Sequence, residues 1–238
     1  MSRKPLGRRA YGSIPHLPGS RMGPADHHCH EGQARIVTEK ARDRHDRIIV
    51  QEKVDGSCVA VAKLDGQILA LGRAGYLAET SPFAQHHHFA AWVRANEGRW
   101  DGVLQDGQRM VGEWLAQAHG TRYDLTDEPF MVFDVMQEGR RLPFDVTTVL
   151  ADMADLPRPH ILHEGGPLSV EDALALLGEF GHHGALDPVE GAVWRVERKG
   201  EVDFLVKWVR PDKVDGCYLP EITGRDPLWN WSPLDGAA

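Results

Sequence analysis

At 238 residues the chain is long enough for one sizeable core, and 42% hydrophobic with 26% charged residues is the composition of an ordinary soluble domain. A formal charge of −8 argues against a general nucleic-acid coat while leaving room for a local cationic cleft. The basic start from Met1 to Arg9 leads into Gly/Pro-rich sequence instead of an apolar signal core, no apolar run approaches membrane-spanning length, and Cys29, Cys58 and Cys217 are odd in number and far apart. Together these predict a cytoplasmic protein with no membrane association and no disulfide framework.

In chain order, residues 1–47 read as an irregular His-, Gly- and Pro-rich lead with a short charged helix over 33–44, packed on or extending the core. Ile48, Ile49, Val50 and Gln51 form a β-branched strand, and Ser57 to Lys63 alternates as a second one, with Asp55-Gly56 at a hairpin-like junction. A third strand over 67–71 makes an antiparallel meander and leaves Arg73 on the loop side. Residues 86–97 suit a helix with Phe89, Trp92 and Val93 on one face, and strand character returns at 109–116 and 130–136. Val146, Val149, Leu150 and Met153 recur at helical spacing, and Ser169-Val170-Glu171-Asp172 opens a helix bearing Ala173, Leu174 and Leu177. Both helices are expected to cover a sheet. A second hairpin is predicted from 191–197 and 203–209 around Arg198-Lys199-Gly200, and no internal repeat is visible.

The most informative stretch is Glu52-Lys53-Val54-Asp55-Gly56. A lysine at the end of an apolar strand suits an amine nucleophile, but a solvated lysine has a pKa of about 10.4 and needs neighbouring cations, a metal ion or burial to be neutral. Later strands each set a charged or aromatic residue among apolar ones: Glu113 in Val-Gly-Glu-Trp-Leu, Phe133-Asp134 in Met-Val-Phe-Asp-Val, Glu190-Gly191, and Lys207 in Leu-Val-Lys-Trp. Charges in such places require partners or a ligand. Alone, each has a plain reading: a surface turn lysine, a cross-strand ion pair, a core phenylalanine.

Taken together and in order, Lys-x-Asp-Gly, Arg, Gly-Glu, Phe-Asp, Glu-Gly and Lys resemble the covalent nucleotidyltransferase superfamily of ATP-dependent ligases and capping enzymes, the RNA ligase branch most closely, over roughly residues 48–210. The resemblance implies an α/β (α+β) fold: an antiparallel-sheet nucleotidyltransferase core over 48–210 with flanking helices. The 28 residues after Arg210, a short tail over 211–238, are too few for a C-terminal oligonucleotide-binding barrel. The Trp229-Asn230-Trp231 segment of that tail suits core packing, or stacking on bases.

The resemblance also implies roles. Lys53 would attack the α-phosphorus of ATP and hold AMP, its amine kept neutral by Lys207 and Mg²⁺ (or Mn²⁺). Glu52 would read the adenine edge through backbone or side chain, Asp55 and Gly56 would complete the turn near the nucleotide, and Arg73 would contact ribose and phosphates. Glu113 would bind ribose hydroxyls or a metal ion, Phe133 would stack on the purine with Asp134 on the opposite strand face, and Glu190 would bind the metal. Lys207 would neutralise the α-phosphate as the second catalytic residue. Relatives often carry Lys-x-Lys here, whereas this chain has Lys207 alone, leaving open which lysine it matches and whether Arg210 replaces the other.

The implied activity is ATP-dependent RNA ligation: AMP moves from Lys53 to a 5′-phosphate end, which is then sealed to a 3′-hydroxyl. The substrates would be ATP and RNA ends or a nicked RNA-containing duplex, with a protein partner as one source of substrate docking. Adenylyl transfer to a DNA end or a small molecule, and a non-catalytic nucleotide- or RNA-binding module, are the alternatives. The clusters Asp26-His27-His28-Cys29-His30 and His86-His87-His88 lack the gaps of a zinc site and are expected to line the rim of the cleft or to cap and pack.

Overall fold

The computed structural model describes residues 4–126 and 128–231, so the first three residues of the basic start and the last seven of the tail lie outside it. The elements are α1 (Glu31–Thr38), β1 (Asp46–Lys53), β2 (Ser57–Leu64), β3 (Gln67–Gly72), α2 (Ala84–Ala95), α3 (Glu97–Trp100), β4 (Gln108–Trp114), β5 (Phe130–Gln137), β6 (Arg140–Arg141), α4 (Phe144–Met153), β7 (Ile161–Gly165), α5 (Val170–Leu177), β8 (Gly191–Arg198), β9 (Glu201–Val209) and α6 (Pro220–Thr223). The strands form two antiparallel sheets, one ordered β7-β1-β8-β9 and the other β3-β2-β4-β5-β6.

That topology corrects the meander. β1 and β2 lie in different sheets, so Val54-Asp55-Gly56 is a crossing between sheets and not a hairpin turn. Lys53 pairs with Gly191 of β8, and Ser57 pairs with Trp114 of β4. The predicted β8–β9 hairpin is present, with Val193 opposite Lys207.

Each sheet buries its outer face under helices. On the five-stranded sheet, Val59, Val61, Met110, Trp114, Phe130 and Val132 pack with Phe89, Trp92 and Trp100 from the α2–α3 segment. On the four-stranded sheet, Ile48, Val50, Trp194, Val196 and Val206 pack with Val37 of α1, Ala173 of α5 and Leu17 of the lead. The helix predicted over 33–44 is shorter and starts earlier, with Gln33 Oε1 accepting the His30 N–H at 3.2 Å. α4 presents a different face from the apolar stripe: Phe144, Thr147 and Ala151 are buried, while Val146, Val149 and Met153 are exposed. Ser169 caps α5, its hydroxyl accepting the Asp172 N–H at 3.0 Å.

The inner faces of the sheets meet around a cleft. Strand alternation puts Gln51 and Lys53 of β1, Val193 and Arg195 of β8, and Leu205 and Lys207 of β9 on one face. Cys58 of β2, Glu113 of β4 and Phe133 of β5 face them across a cavity of about 150 Å³.

Candidate active site

Two cavities adjoin Lys53. The first is walled by Tyr11, Ile14, Phe133, Val193 and Leu205, with Lys53, Arg73, Glu113 and Lys207 at its edge. The second, about 290 Å³, is lined by Lys53, Asp55, Glu113, Glu190 and Lys207 together with His16, Asp26 and His119. One is largely apolar and flat-walled; the other is densely charged.

Lys53 Nζ donates to Glu190 Oε2 at 2.6 Å. Burial works to lower its pKa, but the carboxylates of Glu190, Glu113 and Asp55 outweigh burial and raise it above the ordinary lysine value. These surroundings favour the ammonium form of Lys53, paired with Glu190. Burial raises the pKa of Glu190, with Lys53 pulling the other way. Glu113 is pushed up to about 7 by burial, with Glu190 and Asp55 adding to the rise and Lys53 opposing it.

Asp55 has a different task from its turn role. Its Oδ2 accepts the Gly120 N–H at 2.9 Å and lies 3.2 Å from Lys213 Nζ, while its backbone N–H donates to the Tyr123 hydroxyl at 3.0 Å. Lys213 is itself buried, donating to the Gly120 carbonyl at 2.8 Å and to Thr121 Oγ1. Gly56 is required by close packing, since a Cβ there would run into the Trp114 carbonyl, and its N–H donates to Glu113 Oε1 at 3.2 Å.

Phe133 is the extra residue of a β-bulge: Val111 pairs with Asp134 while Gly112 pairs with Val132. The bulge overturns the expectation that Asp134 faces away, because Phe133 and Asp134 both line the first cavity. Asp134 is fully buried and bonded to the Tyr11 hydroxyl, to Arg195 and, at 3.1 Å, to Arg141 Nε. Tyr11 packs edge-on against Phe133 with ring centroids 5.2 Å apart, fixing the plane of that ring.

The remaining expected residues divide. Arg73 reaches the first cavity while its Nη2 donates to the Gly12 carbonyl at 3.1 Å. Glu52 lines the same cavity, but its Oε2 accepts the His182 N–H at 2.9 Å and its Oε1 abuts Gly181, where a Cβ would collide. Its backbone N–H is engaged as well, donating to the His160 carbonyl at 2.9 Å. Lys207 faces the charged cavity, its pKa drawn down by burial and by Lys53. Arg210 donates to the Gly178 carbonyl at 3.0 Å and does not line that cavity, so it does not stand in for a second lysine there.

Tyr11, His16, Arg195 and Lys213 were not singled out from sequence, and Asp26 was read only as one end of the histidine cluster expected at the rim of the cleft or in capping and packing. Arg195 had the same signal as Lys207, a charge inside an apolar strand. Tyr11, His16 and Lys213 carry no local signal, because their positions are set by contacts distant in the chain.

No group of three or more His, Cys, Asp or Glu side chains is arranged to hold a metal ion among the described residues. Glu113 and Glu190 nevertheless offer hard carboxylate oxygens in one cavity, and each is destabilised as an anion by its surroundings. That donor set suits a magnesium-like ion completed by water and phosphate oxygens.

A model described as RNA ligase matches residues 46–209, more than half of the chain and every strand of the two sheets. The chain belongs to the RNA ligase family. Among solved structures, this RNA ligase family member is similar to the Naegleria gruberi RNA ligase with PPi, at TM-score 0.54 and 17% identity, over 89% of this chain and 62% of that one. It is also similar to a variant of the same enzyme with ATP and Mn, at TM-score 0.54 and 15% identity, over 83% and 59%. An archaeal ATP-dependent RNA ligase matches at TM-score 0.47 and 23% identity, over 69% and 43%. The chain thus spans about half the length of these structures. A comparison with curated proteins gave no match.

Proposed function

We propose that this family member is an ATP-dependent RNA ligase working through a lysyl-AMP intermediate on Lys53. The observation that carries the reading is the Lys53–Glu190 pair, 2.6 Å apart, at the junction of a flat-walled cavity and a charged one. Purine would stack on Phe133, with Arg73 and Glu113 toward the ribose, and the phosphates would lie toward Lys207.

In the first step the Nζ lone pair forms a bond to the α-phosphorus of ATP and the bond to pyrophosphate breaks. The proton on Nζ must leave first, and Glu190 Oε2 is the acceptor already in contact; its raised pKa makes it a better base than a solvated carboxylate. Lys207, cationic across the cavity, would stabilise charge on the phosphoryl oxygens. Glu190 and Glu113 would hold Mg²⁺ or Mn²⁺, which when bound supplies charge neutralisation at the phosphates. AMP then passes to a 5′-phosphate oxygen, and a 3′-hydroxyl displaces it. The substrates would be RNA ends or a nicked RNA-containing duplex, with a partner protein as a further means of docking. No helix among the described residues is long and apolar enough to cross a membrane, and we place the activity in the cytoplasm.

Incubation with labelled ATP and Mg²⁺ tests the reading. A denaturation-resistant AMP adduct is expected, absent in Lys53→Ala, followed by sealing of nicked RNA. An adduct without sealing of RNA would indicate another acceptor, and reversible binding alone would leave only a nucleotide-binding module.

A further inference from the structure

The lead crosses β9 at Lys207. The Lys207 N–H donates to the Pro15 carbonyl at 3.0 Å, and the Leu17 N–H donates to the Lys207 carbonyl at 2.8 Å, so both backbone groups of this lysine are held by residues 15 and 17. The lead then folds back on itself: the His16 N–H donates to the His27 carbonyl and the Cys29 N–H to the His16 carbonyl, each at 2.9 Å. This return brings the Asp26 carboxylate to the ammonium, with Oδ1 3.9 Å from Lys207 Nζ.

Asp26 is itself held. Its Oδ2 accepts the Gly23 N–H at 2.9 Å and faces His16 Nε2 at 3.2 Å. His16 is 1% exposed, and its Nδ1 lies 2.7 Å from Ser20 Oγ. Ser20 Oγ in turn accepts the Val209 N–H at 2.9 Å. The side chains thus form a circuit of close contacts that leaves β9 at Val209, runs through Ser20, His16 and Asp26, and returns to β9 at Lys207, its His16–Asp26 and Asp26–Lys207 steps being charge approaches and not hydrogen bonds. With His16 neutral, Nε2–H faces the carboxylate and Nδ1 is left to accept the serine hydroxyl.

We propose that Asp26 is a positioning residue for the reaction, the counter-ion that holds the Lys207 ammonium directed into the cavity it shares with Lys53. The inference rests on the ligase reading of that cavity. Its physical need is plain, because burial and the nearby Lys53 and Arg73 all work to discharge Lys207, and among the groups opposing them Asp26 is the strongest, ahead of Glu190. An ammonium turned away from the cavity would bind phosphate poorly and stabilise little charge in the transition state. Such a counter-ion also explains why a histidine-rich segment without metal-site spacing packs at this place. His16 braces the carboxylate, and the backbone of His27 holds His16.

The test is single-turnover formation of the Lys53–AMP adduct by the full chain, with ATP affinity measured separately. In Asp26→Asn the rate at saturating ATP is expected to fall at least ~10-fold, with the ATP Kd within ~3-fold of wild type and Tm little changed; Asp26→Glu recovers part of the rate. Ser20→Ala, which loosens the far end of the circuit without touching either charge, is expected to lose ~3-fold with the same split. Wild-type rates in the variants that keep their Tm would overturn the inference, as would losses that track Tm or appear wholly in Kd. Failure of the wild-type chain to form any adduct would instead overturn the ligase reading.

Discussion

The two sheets contribute opposite kinds of wall to the cleft. The four-stranded sheet supplies charge: Lys53 ends β1, Glu190 precedes β8, and Lys207 stands on β9 opposite Val193. The five-stranded sheet supplies shape, above all the bulged Phe133, with Asp134 below it tied to Tyr11, Arg195 and Arg141. The shape side is fixed before any ligand arrives. The charged side holds an internal ion pair which, on the proposed reading, ATP would rearrange, so mutations on the two sides should fail differently.

The largest effect is expected on the charged side. Lys53→Ala should abolish adduct formation, by at least ~10³-fold, and leave ATP binding measurable, which separates chemistry from affinity. Glu190→Gln should slow the same step by ~10²-fold, since it removes both the proton acceptor at 2.6 Å and a metal-ligand candidate; the quench-flow rate at saturating ATP reads this. On the shape side the loss should appear in binding instead. Phe133→Ala is expected to raise the ATP Kd by ~5–150-fold, the worth of ~1–3 kcal/mol of stacking, with the rate at saturation less affected. Equal losses of rate and affinity at Phe133 would break the division of labour.

Glu113, which belongs to the five-stranded sheet but faces the charged cavity, sharpens the contrast through stability. Its folded pKa is about 7, above the unfolded carboxyl value. The folded state therefore holds a proton that the unfolded state has lost as pH rises from about 4.5 to 7, and stability falls across that window. Glu113→Gln is expected to raise Tm by about 2–6 °C at pH 8 and much less at pH 4.5, while weakening Mg²⁺-dependent activity. The smallest effect should come from outside the cleft: Val149→Glu on the exposed face of α4 should change Tm by less than ~2 °C, whereas the apolar pattern of that helix would have suggested a core disruption.

Lys53, Glu113 and Lys207 stand out in the sequence because each sets a charge in an apolar strand, where burial would otherwise reject it, whereas Phe133 and Glu190 were picked out through the order of the motifs. The strands themselves were legible from alternation. Pairing was not: Asp-Gly between two strand-like runs has the chemistry of a tight turn, and only Gly191 and Trp114 as the actual neighbours of Lys53 and Ser57 reveal a crossing. The Phe133 bulge was equally hidden, since one additional residue in β5 is defined only by its register against β4. In α4, Val146, Val149 and Met153 have the right period, but period alone does not choose which side of a helix meets the sheet. β7, a short strand whose ends are exposed, has too little apolar content to stand out.

The last described residues have a practical bearing on how this chain is handled. Asn230 donates from Nδ2 to the Leu115 carbonyl at 2.8 Å and accepts the Tyr123 N–H at 3.1 Å, and Trp229 stacks on His88 with ring centroids 4.3 Å apart. The loop it fastens is the one whose Gly120 and Tyr123 grip Asp55, two residues from Lys53. A shortened version ending ahead of Leu228, drawn up to aid crystallisation, would unclasp that loop and is expected to disturb the setting of Lys53.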